Sequence, residues 1–322
     1  MAKANLPVLG IDIGGTNTKM GMVNREGQLY AFHRMPTEAH GNDPEPFLQR
    51  LYTQIDHILE STTESPIGIG VSMHGELDEQ RHGTVLGLNT PALCGVDMRG
   101  RLIQRYQLPV IINNDLMAHT LGEYYFGSGK GSQRFMCLAM GTGLGAAVLV
   151  DGVPLLIDGG NSGNTGLVVI EPDGPVGATS IKGAAEDLVG VAGIEQLALV
   201  RYGHVALAHD VISAAATGED AIAVAIMQQI GNYLGHTLAI LSVIFYPHRI
   251  ALTGGQTAAG EVLLAACRER FDELIGDFFR RISRLPSSHY RLPEIVLGEG
   301  GAESGILGAT VELLGLYDSA DQ

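Results

Sequence analysis

The segment Leu9–Thr16 reads LGIDIGGT, an apolar run that ends in a Gly-Gly-Thr turn. This pattern predicts a strand over Val8–Ile13, a tight turn, and a returning strand over Lys19–Val23. Glycine lets backbone N–H groups approach phosphate oxygens because no Cβ intervenes, and a threonine hydroxyl adds another donor. The turn Gly14–Thr16 is therefore a candidate for binding the phosphates of a ligand.

A second segment, Cys137–Gly145, repeats this arrangement with the sequence CLAMGTGLG. An apolar strand again ends in a Gly-Thr turn and continues into another apolar strand. Two such units, one in each half of the chain, predict a duplicated domain whose turns face each other across a cleft and clamp a polyphosphate. For either turn alone, an ordinary tight hairpin without a ligand is the alternative, because short glycine motifs give false positives.

Two further predicted strands end in residues suited to a ligand. Val110–Ile112 leads to Asn113-Asn114-Asp115 at the start of a helix, and open α/β sheets place their chemistry at such carboxyl ends. Asp115 is therefore a candidate catalytic residue, although aspartate also serves as an N-cap and the two roles can coexist. Gly254–Gly255 follows a strand at Tyr246–Thr253 and offers bare backbone to a nucleoside; a strand end without a ligand is the alternative.

Bulk properties narrow the classes of protein. The 322 residues exceed the size at which one hydrophobic core stops growing, so two domains are expected, and 45% hydrophobic with 17% charged residues is typical of an ordered globular chain. A net charge of -15 without a strong basic patch argues against nucleic-acid and anionic-membrane partners. Three widely separated cysteines suit a reducing cytoplasm better than a disulfide framework.

The ends and the apolar stretches of the chain support this reading. The chain reaches a strand-like run by Pro7, so we expect neither a signal peptide nor a preceding DNA-binding domain. Glu219–Phe245 is apolar and helical in pattern, but polar residues interrupt it. We expect a core helix in which Gly231 and Gly235 allow a neighbouring element to approach closely.

Together these segments resemble the ROK (repressor, ORF, kinase) sugar kinases of the actin-like ATPase and hexokinase superfamily, over almost the whole chain. One departure is His74, which stands where the family usually has proline. The matching segments are the first phosphate turn Asp12–Thr16 with Lys19, the second-strand segment Gly68–Gly75, the sugar loop Leu88–Thr90, the pair Asn114–Asp115, the second phosphate turn Gly141–Gly145, Gly254–Gly255 and the terminal helix entry Ala302–Ala309.

The resemblance implies a two-lobed actin-like ATPase (ribonuclease H-like) α/β fold with duplicated domains around a nucleotide cleft. The N-terminal lobe is expected over residues 1–116 plus 302–322, with the first phosphate turn and the sugar loop. The C-terminal lobe is expected over 117–301, with the second phosphate turn, the adenosine site and the surface of a homodimer.

The resemblance also implies the site residues. Asp115 is expected as the catalytic base, and Asp12 is expected to contact Mg²⁺ through water. The implied substrate-binding residues are Asn89, Asn114, Asp115, Asn164 and Glu186. The implied ATP-binding residues are Asp12, Gly14, Gly15, Thr16, Lys19, Gly141, Thr142, Gly143, Gly254 and Gly255.

One element departs from the family. Asn164 and Leu167 replace the glutamate and histidine of the Glu-x-Gly-His element, which reach sugar hydroxyls in the family. The stretch Ala178–Glu186 contains none of the cysteines that, with that histidine, form the family's structural zinc site. All four ligands are absent together, so we expect no structural zinc. Glu186 remains at the position of the motif's last glutamate.

The expected function is ATP-dependent phosphorylation of a hydroxyl on a monosaccharide or close analogue, as in glucokinases and N-acetylhexosamine kinases. The altered element leaves two alternatives: a non-catalytic sensor of sugar or nucleotide, and a kinase for a polyol such as a cyclitol. The family's DNA-binding repressors form a third class, but they carry an N-terminal helix-turn-helix that this sequence lacks. No membrane partner is expected.

Overall fold

The computed structural model describes residues 6–157 and 162–317. The strands are β1 (Val8–Ile13), β2 (Asn17–Val23), β3 (Leu29–Pro36), β4 (Ile69–Met73), β5 (Glu76–Leu77), β6 (Thr84–Leu86), β7 (Val110–Asn114), β8 (Arg134–Met140), β9 (Leu144–Val150), β10 (Val153–Pro154), β11 (Arg249–Thr253) and β12 (Glu294–Leu297). The α-helices are α1 (Glu45–Ser61), α2 (Met98–Tyr106), α3 (Asp115–Phe126), α4 (Ala185–Val189), α5 (Val191–Tyr202), α6 (Ala208–Thr217), α7 (Ala221–Phe245), α8 (Glu261–Phe271), α9 (Asp277–Ser283) and α10 (Ser304–Thr310).

Two five-stranded sheets have equivalent topologies, β3-β2-β1-β4-β7 and β10-β9-β8-β11-β12. In each, a hairpin (β1–β2 or β8–β9) is antiparallel, and its first strand also pairs in parallel with a later strand, β4 or β11. Equivalent pairing of equivalent strands confirms the duplication that the two Gly-Thr turns predict.

The chain divides into two compact units. Unit 1 comprises 1–130, 152–163 and 302–322, and unit 2 comprises 131–151 and 164–301. The predicted boundary between the lobes follows residue 116, which lies inside α3. In the structure the whole of α3 belongs to unit 1, because α3 packs on α10 through glycines. A Cβ at Gly122 would meet backbone atoms of Ser304, and one at Gly308 would meet the Ala118 carbonyl. Within the predicted N-terminal lobe, residues 1–5 and 318–322 lie outside the described residues, and the cleft between the lobes stays a prediction.

Each unit has its own core. In unit 1, α1 buries the apolar stripe Phe47, Leu48, Leu51, Ile55 and Ile58 against the sheet, as its helical spacing predicts. Burial of each such side chain contributes about 2 kcal/mol.

In unit 2 the longest helix, α7, contributes several buried side chains to the core, among them Ile226, Ile230 and Leu234. Its glycines allow the predicted close approach, because a Cβ at Gly231 would lie 2.6 Å from Leu263 O and one at Gly235 would lie 2.5 Å from Cys267 O, both on α8. A π-helical turn, Asp272–Gly276, joins α8 to α9. Within 6–157 and 162–317, no helix combines the length and the hydropathy that a membrane span requires.

Candidate active site

The carboxyl ends of β1, β4 and β7 meet at one edge of the first sheet. Their parallel registers pair Asp12 with Ser72 and Met73 with Asn114, so the three strands end side by side. The next residues along each strand, among them His74 and Asp115, therefore emerge at that edge. This is where α/β sheets place their ligands, because loops and helix N-termini converge there.

Asp115 is the first residue of α3, and Asn114 is the N-cap. Asn114 Oδ1 accepts hydrogen bonds from the backbone N–H groups of Leu116 and Met117 at 3.0 and 3.4 Å, while its Nδ2 donates to Gly75 O at 2.8 Å. The alternative in which Asp115 is the N-cap is therefore wrong, since asparagine already supplies the acceptor that the first turn needs. The Asp115 side chain is 33% exposed and accessible to a ligand.

The Asn114 amide is committed to protein partners in this structure. The residue is 6% exposed. Its amide oxygen and its amide nitrogen both form hydrogen bonds with other residues of unit 1. Its contact with a substrate therefore stays a prediction, whereas its role in capping α3 is direct.

His74 joins Asp115 to the predicted sugar loop. Its Nδ1 lies 2.9 Å from Asp115 Oδ2, and its Nε2 lies 3.1 Å from Asn89 Nδ2. With the Asn89 amide nitrogen donating to Nε2, the ring hydrogen resides on Nδ1 and is donated to the carboxylate. The hydrogen bond to Asp115 raises the pKa of His74 above its ordinary value; burial opposes this rise, and the charge of the carboxylate adds to it.

The first phosphate turn connects β1 to β2 and touches the sugar loop. Gly14 O accepts a hydrogen bond from the Thr37 hydroxyl at 2.7 Å, which fixes the turn. A Cβ at Gly15 would lie 2.7 Å from Asn89 Cβ, so only glycine fits between the turn and this asparagine. The Thr16 side chain is exposed.

Asp12 is the buried carboxylate beside this turn and is 5% exposed. Ser72 Oγ donates to Asp12 Oδ1 at 2.8 Å, and Lys19 Nζ lies 3.6 Å from Oδ2. Mg²⁺ in nucleotide sites keeps several waters and uses only one or two protein carboxylates, so a single held carboxylate fits it. Across 6–157 and 162–317, no cluster of three or more His, Cys, Asp or Glu side chains is placed to hold a metal ion.

The second phosphate turn, Gly141–Gly143, lies in unit 2 and rests on Glu186. Glu186 Oε2 accepts a hydrogen bond from Leu144 N at 3.0 Å, and a Cβ at Gly143 would lie 2.6 Å from the same oxygen. Glu186 therefore supports the turn directly, in addition to its predicted substrate contact, which stays a prediction. Thr142 is exposed.

Gly254 and Gly255 follow β11 and differ in what their backbones require. Gly254 has φ of 97°, and a Cβ there would overlap the Met140 carbonyl oxygen, whereas a Cβ at Gly255 would meet nothing within 4 Å. The next residue, Gln256, is 1% exposed, and its Nε2 donates to Val189 O at 2.8 Å. The glycine at 254 is thus required by the fold, and the space at 255 is open.

Asn164 is exposed and precedes a short 3₁₀ turn, Thr165–Leu167. The Thr165 hydroxyl accepts a hydrogen bond from Ala146 N at 2.6 Å and so ties this turn to β9. No contact in the structure tests the predicted role of Asn164. The three cysteines are free, with Cys137 and Cys267 buried and Cys94 only partly buried; the absence of structural zinc stays a prediction.

Four supporting residues are not apparent from motifs: His74, Ser72 and Thr37 in unit 1, and Gln256 in unit 2. The motif match marks His74 as a departure without assigning it a role. Ser72 has a usable signal, because aligning the ends of β1 and β4 in parallel pairs it with Asp12. Thr37 and Gln256 have none, since their hydrogen bonds join segments far apart in sequence.

Comparisons with known proteins agree with this arrangement. The model of the ROK family matches residues 8–311. A glucokinase from Thermotoga maritima is 27% identical over 317 residues, covering 94% of this chain and 96% of that protein. An N-acetyl-D-glucosamine kinase from Photobacterium profundum is 27% identical over 316 residues, covering 93% and 97%.

A solved structure confirms the predicted fold class. A ROK family glucokinase from Streptomyces griseus, crystallised with glucose and AMPPNP, matches with a TM-score of 0.73 at 23% identity, covering 94% of this chain and 97% of that chain. The likeness supports an actin-like ATPase fold of duplicated α/β units. Because the family model extends from the first strand to the last helix, the chain belongs to the ROK family.

Proposed function

We propose that this protein is an ATP-dependent carbohydrate kinase, which phosphorylates a hydroxyl of a monosaccharide or close analogue. The observation that carries the proposal is an accessible carboxylate, Asp115, on the same sheet edge as the first phosphate turn and linked through His74 to Asn89. The relatives named as glucokinase and N-acetyl-D-glucosamine kinase, matched over nearly their whole lengths, support it.

Asp115 acts as the general base. Phosphoryl transfer needs a positioned hydroxyl and compensation of charge on the phosphoryl oxygens more than covalent help from the protein. Asp115 Oδ1 accepts from Leu116 N at 2.9 Å, and Oδ2 accepts from His74. A carboxylate oxygen can accept more than one hydrogen bond, so Oδ2 retains capacity for the attacking hydroxyl and takes its proton as transfer proceeds.

The nucleotide is assigned to the glycine turns. Gly14 N already donates to Asn17 O and Gly141 N to Gly143 O, so these two glycines shape their turns. The N–H groups proposed to bind phosphate oxygens are those of Gly15, Thr16, Thr142 and Gly143, and the open space at Gly255 is proposed to accept the nucleoside. The AMPPNP in the Streptomyces griseus structure supports ATP as the donor. Mg²⁺, when bound, compensates the charge of the phosphates. Asp12 would hold it through water, with Ser72 and Lys19 fixing the carboxylate.

The acceptor differs from an ordinary hexose at one or two hydroxyls. Asn164 and Leu167 stand where the family element carries glutamate and histidine. An amide lacks the charge that strengthens a hydrogen bond to a hydroxyl, and leucine offers only apolar contact. A deoxy sugar, an acylated amino sugar or a cyclitol therefore fits this element better than glucose does.

A non-catalytic sensor of sugar or nucleotide is the second candidate, because the same two replacements thin the substrate site. It binds without turnover, which separates it from the kinase. A DNA-binding repressor is not favoured, since the two relatives compared above are named as kinases and match this chain over nearly their whole lengths. We further propose a homodimer, on the resemblance to the family, and a cytoplasmic location, which three free cysteines support.

The deciding experiment measures ADP release with ATP and Mg²⁺ against hexoses, N-acetylated amino sugars, deoxy sugars and cyclitols. We expect turnover of one class, and Asp115→Asn should lower kcat about 100- to 10,000-fold, because the amide cannot take the proton. The control is Asp151→Asn, the same change at an exposed aspartate with φ of 53°, a conformation that asparagine tolerates. Sugar binding without turnover across the panel would contradict the kinase and favour the sensor.

A further inference from the structure

Among the described residues at this sheet edge, His74 alone forms hydrogen bonds with both the proposed base, Asp115, and a residue of the sugar loop, Asn89. Asp115 begins α3, and Asn89 lies in the loop before a 3₁₀ turn at Pro91–Leu93, yet the imidazole contacts both, at 2.9 and 3.1 Å. The two residues are 26 positions apart in sequence by their own numbers, 89 and 115. The ring therefore couples two elements that the chain does not otherwise connect locally.

The ring is not needed to fold its own loop. The backbone of His74 already bonds its neighbours, because its N–H donates to Ile13 O at 3.3 Å and its carbonyl accepts from the Thr84 hydroxyl at 3.1 Å. Gly75, with φ of 100°, makes the turn that follows. The side chain itself is 32% exposed, so its two nitrogens are used at the site and not in the core.

The two contacts restrain the groups on which transfer depends. Asp115 has one oxygen held by Leu116 N, and the imidazole holds the other, which stops rotation of the carboxylate. Asn89 is backed by Gly15 on one side and by the imidazole on the other. A base and a substrate-binding amide fixed in this way need no reordering when the acceptor binds.

We propose that His74 is a positioning residue for phosphoryl transfer: through Nδ1 it orients the base Asp115, and through Nε2 it orients Asn89 toward the acceptor sugar. This inference rests on the proposed kinase function. It predicts that the two nitrogens contribute to different kinetic parameters, since Asp115 acts in the transfer step and Asn89 acts in binding.

Three substitutions separate the two contacts. His74→Ala removes both, so kcat should fall about 10-fold and KM should rise about 5-fold, as expected for losing one charged and one neutral hydrogen bond. An asparagine amide reaches the position of Nδ1, so His74→Asn should restore kcat but not KM. A glutamine amide reaches the position of Nε2, so His74→Gln should restore KM but not kcat. The control is His82→Ala, at a half-exposed histidine paired with Asp78.

Steady-state kinetics are measured with the sugar found in the panel, and circular dichroism checks that each variant is folded. Wild-type values of kcat and KM in His74→Ala, or equal losses in all three variants, would overturn the positioning role while leaving the kinase intact. A wild-type protein that phosphorylates no sugar would instead contradict the proposed function, and the role of His74 would fall with it. The Asn89→Ala variant supplies an independent check, because its KM should be insensitive to a further His74→Asn change, which removes only the contact with Asn89.

Discussion

At the scale of single residues, the sequence allows Asp115 to be both the N-cap of α3 and the candidate base, whereas in the structure Asn114 is the N-cap. The amide caps α3, and the adjacent carboxylate therefore does not have to. Because capping consumes the amide oxygen and Gly75 O accepts from the amide nitrogen, Asn114 is best understood as the residue that positions the helix start. Asp115 is left with one face toward His74 and one toward solvent.

The contact between His74 and Asp115 makes stability depend on pH. The pKa of His74 is raised in the folded protein, chiefly by the hydrogen bond to Asp115, above the ordinary value of 6.5. A raised folded pKa means that folding favours the protonated ring, so this stabilisation is complete below about pH 6.5 and is lost as pH rises through the folded pKa. The difference in free energy of unfolding between wild type and His74→Gln should therefore be larger at about pH 5.5 than at about pH 9.

Urea denaturation at the two pH values measures this difference. A difference that is the same at both, or that grows with pH, would contradict a His74 pKa raised by the contact with Asp115. His82→Ala serves as the reference for nonspecific effects of removing an imidazole.

At the scale of elements, the glycines of the turns are required for different reasons. At Gly15 and Gly143 a side chain packs so closely that no Cβ fits: Asn89 lies against Gly15, and Glu186 lies against Gly143. Gly254 adopts a left-handed conformation directly against the Met140 carbonyl, where no Cβ fits. Gly255 meets neither restriction, which leaves open space for the proposed nucleoside.

The pair Gly254 and Gly255 tests this distinction. Gly254→Ala should lower the free energy of unfolding by about 2–4 kcal/mol, because it combines backbone strain with an overlap. Gly255→Ala should leave stability within about 0.5 kcal/mol of wild type. It should nevertheless weaken AMPPNP binding about 10-fold, since a methyl group would occupy space assigned to the nucleoside. Urea denaturation and titration calorimetry measure the two effects, and unchanged nucleotide affinity in Gly255→Ala would remove the nucleoside from this turn.

At the scale of the whole molecule, charge distinguishes a kinase from a nucleic-acid-binding relative. The net charge of -15 surrounds the protein with a field that repels a phosphate backbone, whereas a nucleotide held by backbone N–H groups needs no net positive charge. We therefore expect the chain to bind the phosphates of ATP but not those of DNA.

Duplex DNA labelled with a fluorophore tests this expectation. We expect no change in anisotropy up to about 10 µM protein at about 0.1 M salt, because nonspecific binding depends on releasing counterions to basic side chains. Binding in this range that weakens steeply with added salt would contradict the prediction and reopen the repressor class. A basic DNA-binding domain measured in parallel is the positive control.

Sequence patterns determined the parts of this protein that depend on neighbours along the chain. The apolar runs around the two Gly-Thr turns predicted the duplicated hairpins. Such patterns report secondary structure because strand and helix periodicities are local. The candidate base Asp115 and the phosphate turns were also readable, since they follow directly on predicted strands.

Tertiary structure alone decided which of these residues act together. The capping role of Asn114 and the support of Leu144 by Glu186 involve hydrogen bonds whose geometry no motif specifies. The bridge from Asp115 through His74 to Asn89 depends on the parallel register of β4 and β7 and on the path of the loop beyond β6. Register and loop paths are set by hydrogen bonds and packing between distant segments, so the site emerges only when the chain is folded.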